Sequence, residues 1–478
     1  MGCNVFRDPR KKVCFSGAGL LLLGLVGASA VGADPLASNN GFYPPYDDPV
    51  KKTNYTGPFN IANLDYPDAA PVDYWNNGGV VVNAKLTQET APLYMDALKK
   101  YLAPTLQPLI NNPGTWDARA AGWYDMVWLG AADGGDPTSG REAVMNTYGG
   151  QIVPSDSWAA PYTPTTDWMQ NYGVIYYDPM AASMLNNVWA DLYNPDLTKL
   201  AFPDGSIVVK FEAATVQPNQ WPGPNNTSVL AGAAEWAVYR PTTEAQKAHQ
   251  SDPSIKLENV VQTVYPFQWA IKVKDRTAAP DTGWVYMAFV YNAWDTTGAT
   301  PWDRFVPAGA MWGNDPDSAT QPDGRPESGQ LTETWVNPDA PPFFPDTLGW
   351  GGRLAAPMDV AVRHDVILPS GKRVTGADGF RASSCLSCHG TAEYPFTINL
   401  YPSPNRTFPP DDTPFPMFEP GSVKWAEWFQ NRPGKDPQSP HIGGIALDYD
   451  LSTMFALGSL AEATGNEGFA FDRFHVHH

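Results

Sequence analysis

The sequence predicts an α+β protein in which a β-rich N-terminal body, built on an antiparallel sheet, precedes a mainly helical C-terminal region. Between residues 174 and 291, runs of aromatic and β-branched residues alternate with Gly, Pro, Asn and Asp, which is typical of strands. After residue 420, apolar residues return at helical spacing. With 478 residues, 43% of them apolar, the chain can bury a large core.

The predicted elements follow in chain order. Residues 34–60, rich in Pro, Asn, Tyr and Asp, predict an extended arm, and apolar spacing near 90–103 predicts an amphipathic helix. Strands are predicted at 174–177, 206–211, 235–239, 260–273 and 284–291. Short helices are predicted at 180–189, from Ser422 to Pro433, and at 451–463. The stretch 302–346 carries Pro and Gly at short intervals, so it predicts loops.

The first 33 residues have the composition of a secretory signal peptide. Four basic residues lie between positions 7 and 12, an apolar stretch covers 20–26, and small residues up to Ala33 offer a cleavage site. We therefore expect export to the periplasm or out of the cell. No other apolar run approaches the roughly 20 residues that span a bilayer, so no membrane span is expected after cleavage.

The run Cys385-Leu386-Ser387-Cys388-His389 carries the strongest chemical signal. Two thiols separated by two residues can each form a thioether with one vinyl group of a porphyrin, and the adjacent histidine can ligate the iron. The other two cysteines, Cys3 and Cys14, belong to the predicted signal peptide. We therefore predict one covalently bound haem c, attached at Cys385 and Cys388, with His389 as the proximal iron ligand.

The sixth iron ligand is open at the level of sequence. Met417, in a proline-stiffened loop over 414–420, is favoured because such a loop loses little entropy when it holds a side chain in place. Met454, Met358, His364 and His441 are alternatives, as is a position without a protein ligand. A zinc site at the two cysteines is disfavoured because His364 and His441 lack the paired spacing of zinc ligands.

The axial ligands decide the class of function. Two strong ligands suit one-electron transfer, whereas an open iron suits a haem enzyme or a protein that binds small ligands. A cell-envelope protein in which haem only staples the fold is a third alternative. The formal net charge of −19 argues against nucleic acid and favours a redox partner protein with a basic docking surface.

Several segments resemble one known family. Residues 350–357, 382–392, 284–291 and 306–315 look like the corresponding parts of large single-haem cytochrome c family proteins of bacterial periplasms. The resemblance implies covalent haem at Cys385 and Cys388 with His389 on the iron, and it implies no substrate. The chain is thus expected to comprise a signal peptide (1–33), a β-rich body (34–346) and a cytochrome c-like haem domain (347–478).

Overall fold

An antiparallel sheet of eight strands is the largest element of the structure. The structure is a computed structural model that describes residues 55–57, 60, 62–80, 84–129, 141–142, 144–318, 331–358, 366–374, 381–405, 414–438 and 443–464. The predicted signal peptide lies outside these residues. The strands of the sheet are β1 (Tyr148–Pro154), β2 (Trp168–Tyr177), β3 (Ile207–Ala214), β4 (Trp236–Arg240), β5 (Val260–Lys274), β6 (Trp284–Tyr291), β7 (Phe305–Met311) and β8 (Thr334–Val336). Their order is β1-β2-β3-β5-β6-β7-β8, and β4 pairs with the first part of β5.

Two strands inside the sheet contain a proline, which has no N–H to donate to a neighbouring strand. Pro266 on β5 lies beside Ala213, where the register with β3 shifts by one residue. Pro307 on β7 lies beside Phe289 at a second shift, between β6 and β7. A bulge leaves one residue unpaired, so it tolerates the missing donor. Both prolines are therefore accommodated without breaking the sheet.

One face of the sheet packs against helix α1 (Ala91–Asn111), which contacts β7. Trp269 of β5 lies on this face, because its ring contacts Trp302, whose main-chain N–H donates to the Asn111 side chain of α1. The Trp269 ring stacks between Phe211 of β3, at 5.2 Å between centroids, and Phe289 of β6, at 4.4 Å. The aromatic residues that predict strands thus also fill the main core between the sheet and the helix.

The predicted α+β class, with a mainly helical C-terminal region, is wrong, because the described chain is β-rich. Among the described residues beyond 347, one helix is longer than five residues, Leu451–Thr464; the other two are Cys385–His389 and Val423–Ala426. Short two-residue strands and loops make up much of the remainder. Prolines at 395, 402, 404, 414, 416, 420 and 433 explain the result, since proline removes a helical hydrogen bond and clashes with the preceding turn.

The remaining elements complete the described chain. The helices, in order after α1, are α2 (Ala118–Ala121), α3 (Pro179–Val188), α4 (Thr243–Ser251), α5 (Cys385–His389), α6 (Val423–Ala426) and α7 (Leu451–Thr464). The short strands are β9 (Val366–Ile367), β10 (Arg373–Val374), β11 (Glu393–Tyr394), β12 (Phe415–Pro416) and β13 (Ile445–Ala446). The predicted cap of α6 is present, as the Ser422 side chain accepts from the Trp425 N–H. The α-helix nevertheless ends at Ala426 and gives way to a 3₁₀ turn over Glu427–Phe429.

Buried apolar residues form a main core and a second, smaller cluster. The main core contains the sheet and α1, and it also takes in Leu386 of α5 and Met454 of α7. The second cluster consists of Trp350, Val366, Leu368, Ala382, Tyr401, Phe415, Met417, Trp425, Trp428 and Phe429. Residues on both sides of position 346 therefore share the main core, and the predicted domain boundary there stays a prediction.

Candidate haem site

The predicted attachment motif forms the short helix α5. Its N-terminus is capped reciprocally: the Ser384 Oγ accepts from the Ser387 N–H at 3.1 Å, and the Ser387 Oγ accepts from the Ser384 N–H at 2.8 Å. Because residues three apart lie on the same side of a helix, the cap holds Cys385 and Cys388 on one side. Both cysteines are half-buried, and neither forms a disulfide bond.

His389 lies at the end of α5 against the sheet. Its ring packs on the Tyr286 ring of β6 at 4.9 Å between centroids. Its Nδ1 lies 3.1 Å from the main-chain oxygen of Tyr449. A carbonyl oxygen only accepts hydrogen bonds, so Nδ1 carries the proton in this contact and Nε2 is the basic nitrogen of the neutral ring. Histidines that ligate metals in proteins are commonly oriented in this way through their other nitrogen.

The Tyr449 carbonyl belongs to a strained turn. Asp448 and Tyr449 have φ angles of 47° and 64°, in the left-handed region that side-chain-bearing residues rarely adopt. The same carbonyl also accepts from the Tyr286 hydroxyl at 3.2 Å and from Lys272 Nζ at 3.1 Å. Three donors from α5, β5 and β6 therefore converge on one oxygen. We call residues 448–450 the carbonyl turn.

Two buried ion pairs fix the carbonyl turn to the sheet. Asp450 pairs with Lys272 at 2.6 Å, and Asp448 pairs with Lys274 at 2.7 Å. All four side chains are at most 7% exposed, so these pairs are shielded from solvent. The Tyr177 hydroxyl, on β2, also donates to Asp450 at 3.1 Å. Three strands thus position the carbonyl that orients His389.

Burial shifts the pKa values of two side chains that contact the carbonyl turn, Tyr286 and Lys274. Burial raises the pKa of Tyr286 well above its ordinary value, with nearby Tyr449 and Asp450 adding to the rise. The Tyr286 hydroxyl therefore keeps its proton and remains a donor to the Tyr449 carbonyl. Burial also lowers the pKa of Lys274, while its ion pair with Asp448 opposes that change.

The residues of the motif fit a covalent haem by their donor chemistry. They supply two thiols on one side of a helix for thioether bonds, and one imidazole oriented through its Nδ1. Among the residues that the structure describes, no three His, Cys, Asp or Glu side chains come together as a metal site.

The other candidate ligands lie in different places. Met417 follows β12 and is buried in the second cluster, and its N–H donates to the Ile367 carbonyl at 3.1 Å. Cys385 and Cys388 instead pack against the main core, which also contains Met358 and Met454. His364 and His441 lie outside the described residues. The second cluster also includes Trp428 and Phe429, whose 3₁₀ turn contacts α5, so Met417 as the sixth ligand stays a prediction.

Sequence reasoning missed the residues that hold His389. Tyr286, Lys272 and Tyr449 are 60 or more residues from the motif, and no sequence pattern marks which main-chain carbonyl accepts a particular hydrogen bond. The one available signal is the placement of Lys272 and Lys274 in the short run 269–274, which is otherwise apolar. Lysines in a buried strand require buried partners, which here are the aspartates of the carbonyl turn.

The cap of α5 gives a first testable prediction. Ser384→Ala should lower the free energy of unfolding by about 0.5–2 kcal/mol, because it removes the oxygen that accepts from the Ser387 N–H. Thermal unfolding of the apoprotein measures this loss. Ser422→Ala, at the cap of α6, is the matched control. We expect only Ser384→Ala to reduce the fraction of chains that attach haem, and equal attachment in both variants would contradict this role.

Comparisons with known proteins do not assign the chain to a family. No protein-family model, curated protein or solved structure matches it. Within the described part of the chain, no helix has the length and apolar character needed to cross a membrane.

Proposed function

We propose that this protein is an exported c-type cytochrome with a single haem that transfers one electron at a time. The observation that best supports the proposal is the hydrogen bond between His389 Nδ1 and the Tyr449 carbonyl, made at the end of a C-x-x-C-H helix. A histidine used only for packing has no need of a buried, three-donor acceptor. This arrangement is the one expected for a proximal haem ligand.

Each residue of the site has a distinct role in this proposal. Cys385 and Cys388 would hold the porphyrin through thioether bonds, and His389 would present its Nε2 to the iron. The haem supplies an iron that changes valence by one electron. Lys272 and Tyr286 keep the Tyr449 carbonyl in place, so the imidazole does not need to reorient when the charge of the site changes.

The charge of the chain suggests the kind of partner. A formal net charge of −19 creates a negative potential that attracts a positively charged protein and accelerates encounter. We therefore propose a redox partner with a basic docking surface, in the periplasm or outside the cell. Electron exchange with such a partner should slow steeply as ionic strength rises, since salt screens the attraction.

The attachment chemistry gives a second prediction. Wild-type protein, produced in a host that matures c-type cytochromes, should retain one haem after denaturation. Cys388→Ser should retain haem through one thioether at most, and the double variant Cys385→Ser/Cys388→Ser should retain none, because no thiol is left to form the bond. Mass spectrometry of the denatured chains and the absorption spectrum of the reduced haem measure both results. Covalent haem on the double variant would refute the assignment.

A further inference from the structure

The face of the sheet beneath α5 contains a row of small side chains. Ala270 of β5 lies opposite Ala288 of β6, which lies opposite Gly309 of β7. Ala270 remains partly exposed although its neighbours on the same face, Gln268 and Lys272, are buried. These three residues add little side-chain volume to this face, and they lie one row away from the residues that hold His389.

One end of this row of small residues lies beside the predicted haem attachment helix, α5. The Leu354 side chain packs over Gly309, where an added Cβ would lie 2.9 Å from its Cδ1. The Leu354 carbonyl accepts from the Cys385 N–H at 2.9 Å. The segment from Leu354 to Met358 therefore starts at α5 and crosses the same face of the sheet.

Met358 is anchored to β5 on the other side of the row of small residues from Lys272. Its N–H donates to the Gln268 Oε1 at 2.9 Å, and the Gln268 Nε2 donates in turn to buried Glu212. Gln268 and Lys272 are four residues apart on β5, which corresponds to about 14 Å along the strand. Lys272 holds the carbonyl that orients His389. The row of small residues thus lies between the strand position that anchors Met358 and the strand position that supports His389, and this spacing is compatible with a flat ring between the two side chains.

We propose that Met358 is the sixth ligand of the haem iron, in place of Met417. This inference rests on the haem attachment proposed above. Met358 is 2% exposed and shares the main core with α5, whereas Met417 packs in the second cluster. A thioether is a suitable axial ligand for an electron-transfer haem and raises its reduction potential relative to a second histidine.

Two matched substitutions in the full chain test the proposal. Met358→Leu and Met417→Leu both remove a thioether while nearly conserving volume, so the fold should survive in each. We expect Met358→Leu to lose the weak far-red absorption band of a methionine–ferric bond and to show a high-spin signal in electron paramagnetic resonance. It should also bind cyanide at least about tenfold faster than wild type, because no methionine has to leave the iron first. Met417→Leu should keep the wild-type band, spin state and cyanide rate. Met358→His should restore a low-spin iron with a lower reduction potential.

The outcomes separate this inference from the proposed function. Three results would each overturn the role of Met358. The far-red band could be lost in Met417→Leu alone, the spectrum and spin state of Met358→Leu could equal those of wild type, or the wild-type iron could already be high-spin. A wild-type chain without covalent haem would instead overturn the proposed function, and mass spectrometry detects that case separately. Methionine-methyl NMR of the reduced wild-type protein is a check that requires no stable variant. The porphyrin shifts the methyl resonance of a methionine ligand far upfield. The proposal is supported if this resonance is absent from a labelled Met358→Leu sample and present in Met417→Leu.

Discussion

Asp450→Ala should lower the free energy of unfolding by about 3–5 kcal/mol, because it leaves the Lys272 ammonium buried without its partner. Asp450 lies 2.6 Å from Lys272 Nζ, and it also accepts from the Tyr177 hydroxyl and from the Thr453 N–H. All of these interactions are lost at once. Denaturant unfolding of the apoprotein measures the change. The same variant should destabilise the carbonyl turn and so reduce the low-spin fraction of the haem protein.

Two further variants identify the cause of this loss. Asp204→Ala breaks the exposed ion pair with Arg276, whose side chains are 45% and 64% exposed, and should cost about 0–1 kcal/mol. The double variant Lys272→Met/Asp450→Leu removes both buried charges and should recover part of the stability. A loss in Asp450→Ala no larger than that in Asp204→Ala would show that the buried pair does not support the turn.

Asp178 should make the protein less stable as pH rises from about 4 to 7. Burial raises the pKa of Asp178 to about 7, although its Oδ1 accepts from the Ala181 N–H at 2.8 Å and from the Ile207 N–H at 3.0 Å. In this window the folded chain holds a proton that the unfolded chain has released, so stability decreases with pH. The free energy of unfolding should fall by on the order of 4 kcal/mol across this window, and Asp178 should cause no further loss above about pH 7.

Asp178→Asn should remove this dependence, because the amide oxygen can accept the same two hydrogen bonds without a charge. We expect the variant to be more stable than wild type at about pH 8 and nearly as stable as wild type at about pH 4.5. Most of the titration of Asp178 falls between these two pH values, and denaturant unfolding at each of them measures the difference. Asp117→Asn is the matched control, since Asp117 also caps a helix, by accepting from the Ala120 N–H, but is exposed. Equal pH profiles for wild type and Asp178→Asn would contradict the prediction.

Strands with continuous aromatic and β-branched runs can be located from the sequence. The segments predicted at 260–273 and 284–291 match β5 and β6 closely, since such residues favour a buried, pleated surface. In contrast, β7 falls in the stretch predicted to be loops. In the sequence, Pro307 and Gly309 indicate that no strand can continue through this stretch. In the structure, a bulge accommodates Pro307, and the close packing of Leu354 requires the glycine at position 309. Local patterns do not reveal such tertiary compensation.

Helix α6 is shorter than predicted for a related reason. The run around Trp425 has helical apolar spacing and a good cap, but the α-helical part covers only Val423–Ala426. Spacing alone does not make a long helix when prolines bound the segment on both sides. Only α7, which contains no proline, matches its predicted extent well.

The candidate site is predictable only where its residues are adjacent in sequence. Cys385, Cys388 and His389 form a local motif whose spacing reflects its chemistry. Tyr449 contributes a carbonyl, and Lys272 lies in a strand whose sequence gives no indication that it holds this carbonyl. These contacts depend on how the sheet and the C-terminal segments pack together, and local patterns in a single sequence do not reveal that packing.

The carbonyl turn also has a consequence for the order of folding. Its contacts join Asp450 to Lys272 and Tyr177, which are 178 and 273 residues away along the chain. Contacts of this separation carry a large loop-closure cost and form only after the intervening strands are paired. We therefore expect the turn to dock late. The helix that carries the two thiols has a local cap and can form earlier, so the proposed covalent attachment of haem would have time to occur before His389 is held in place.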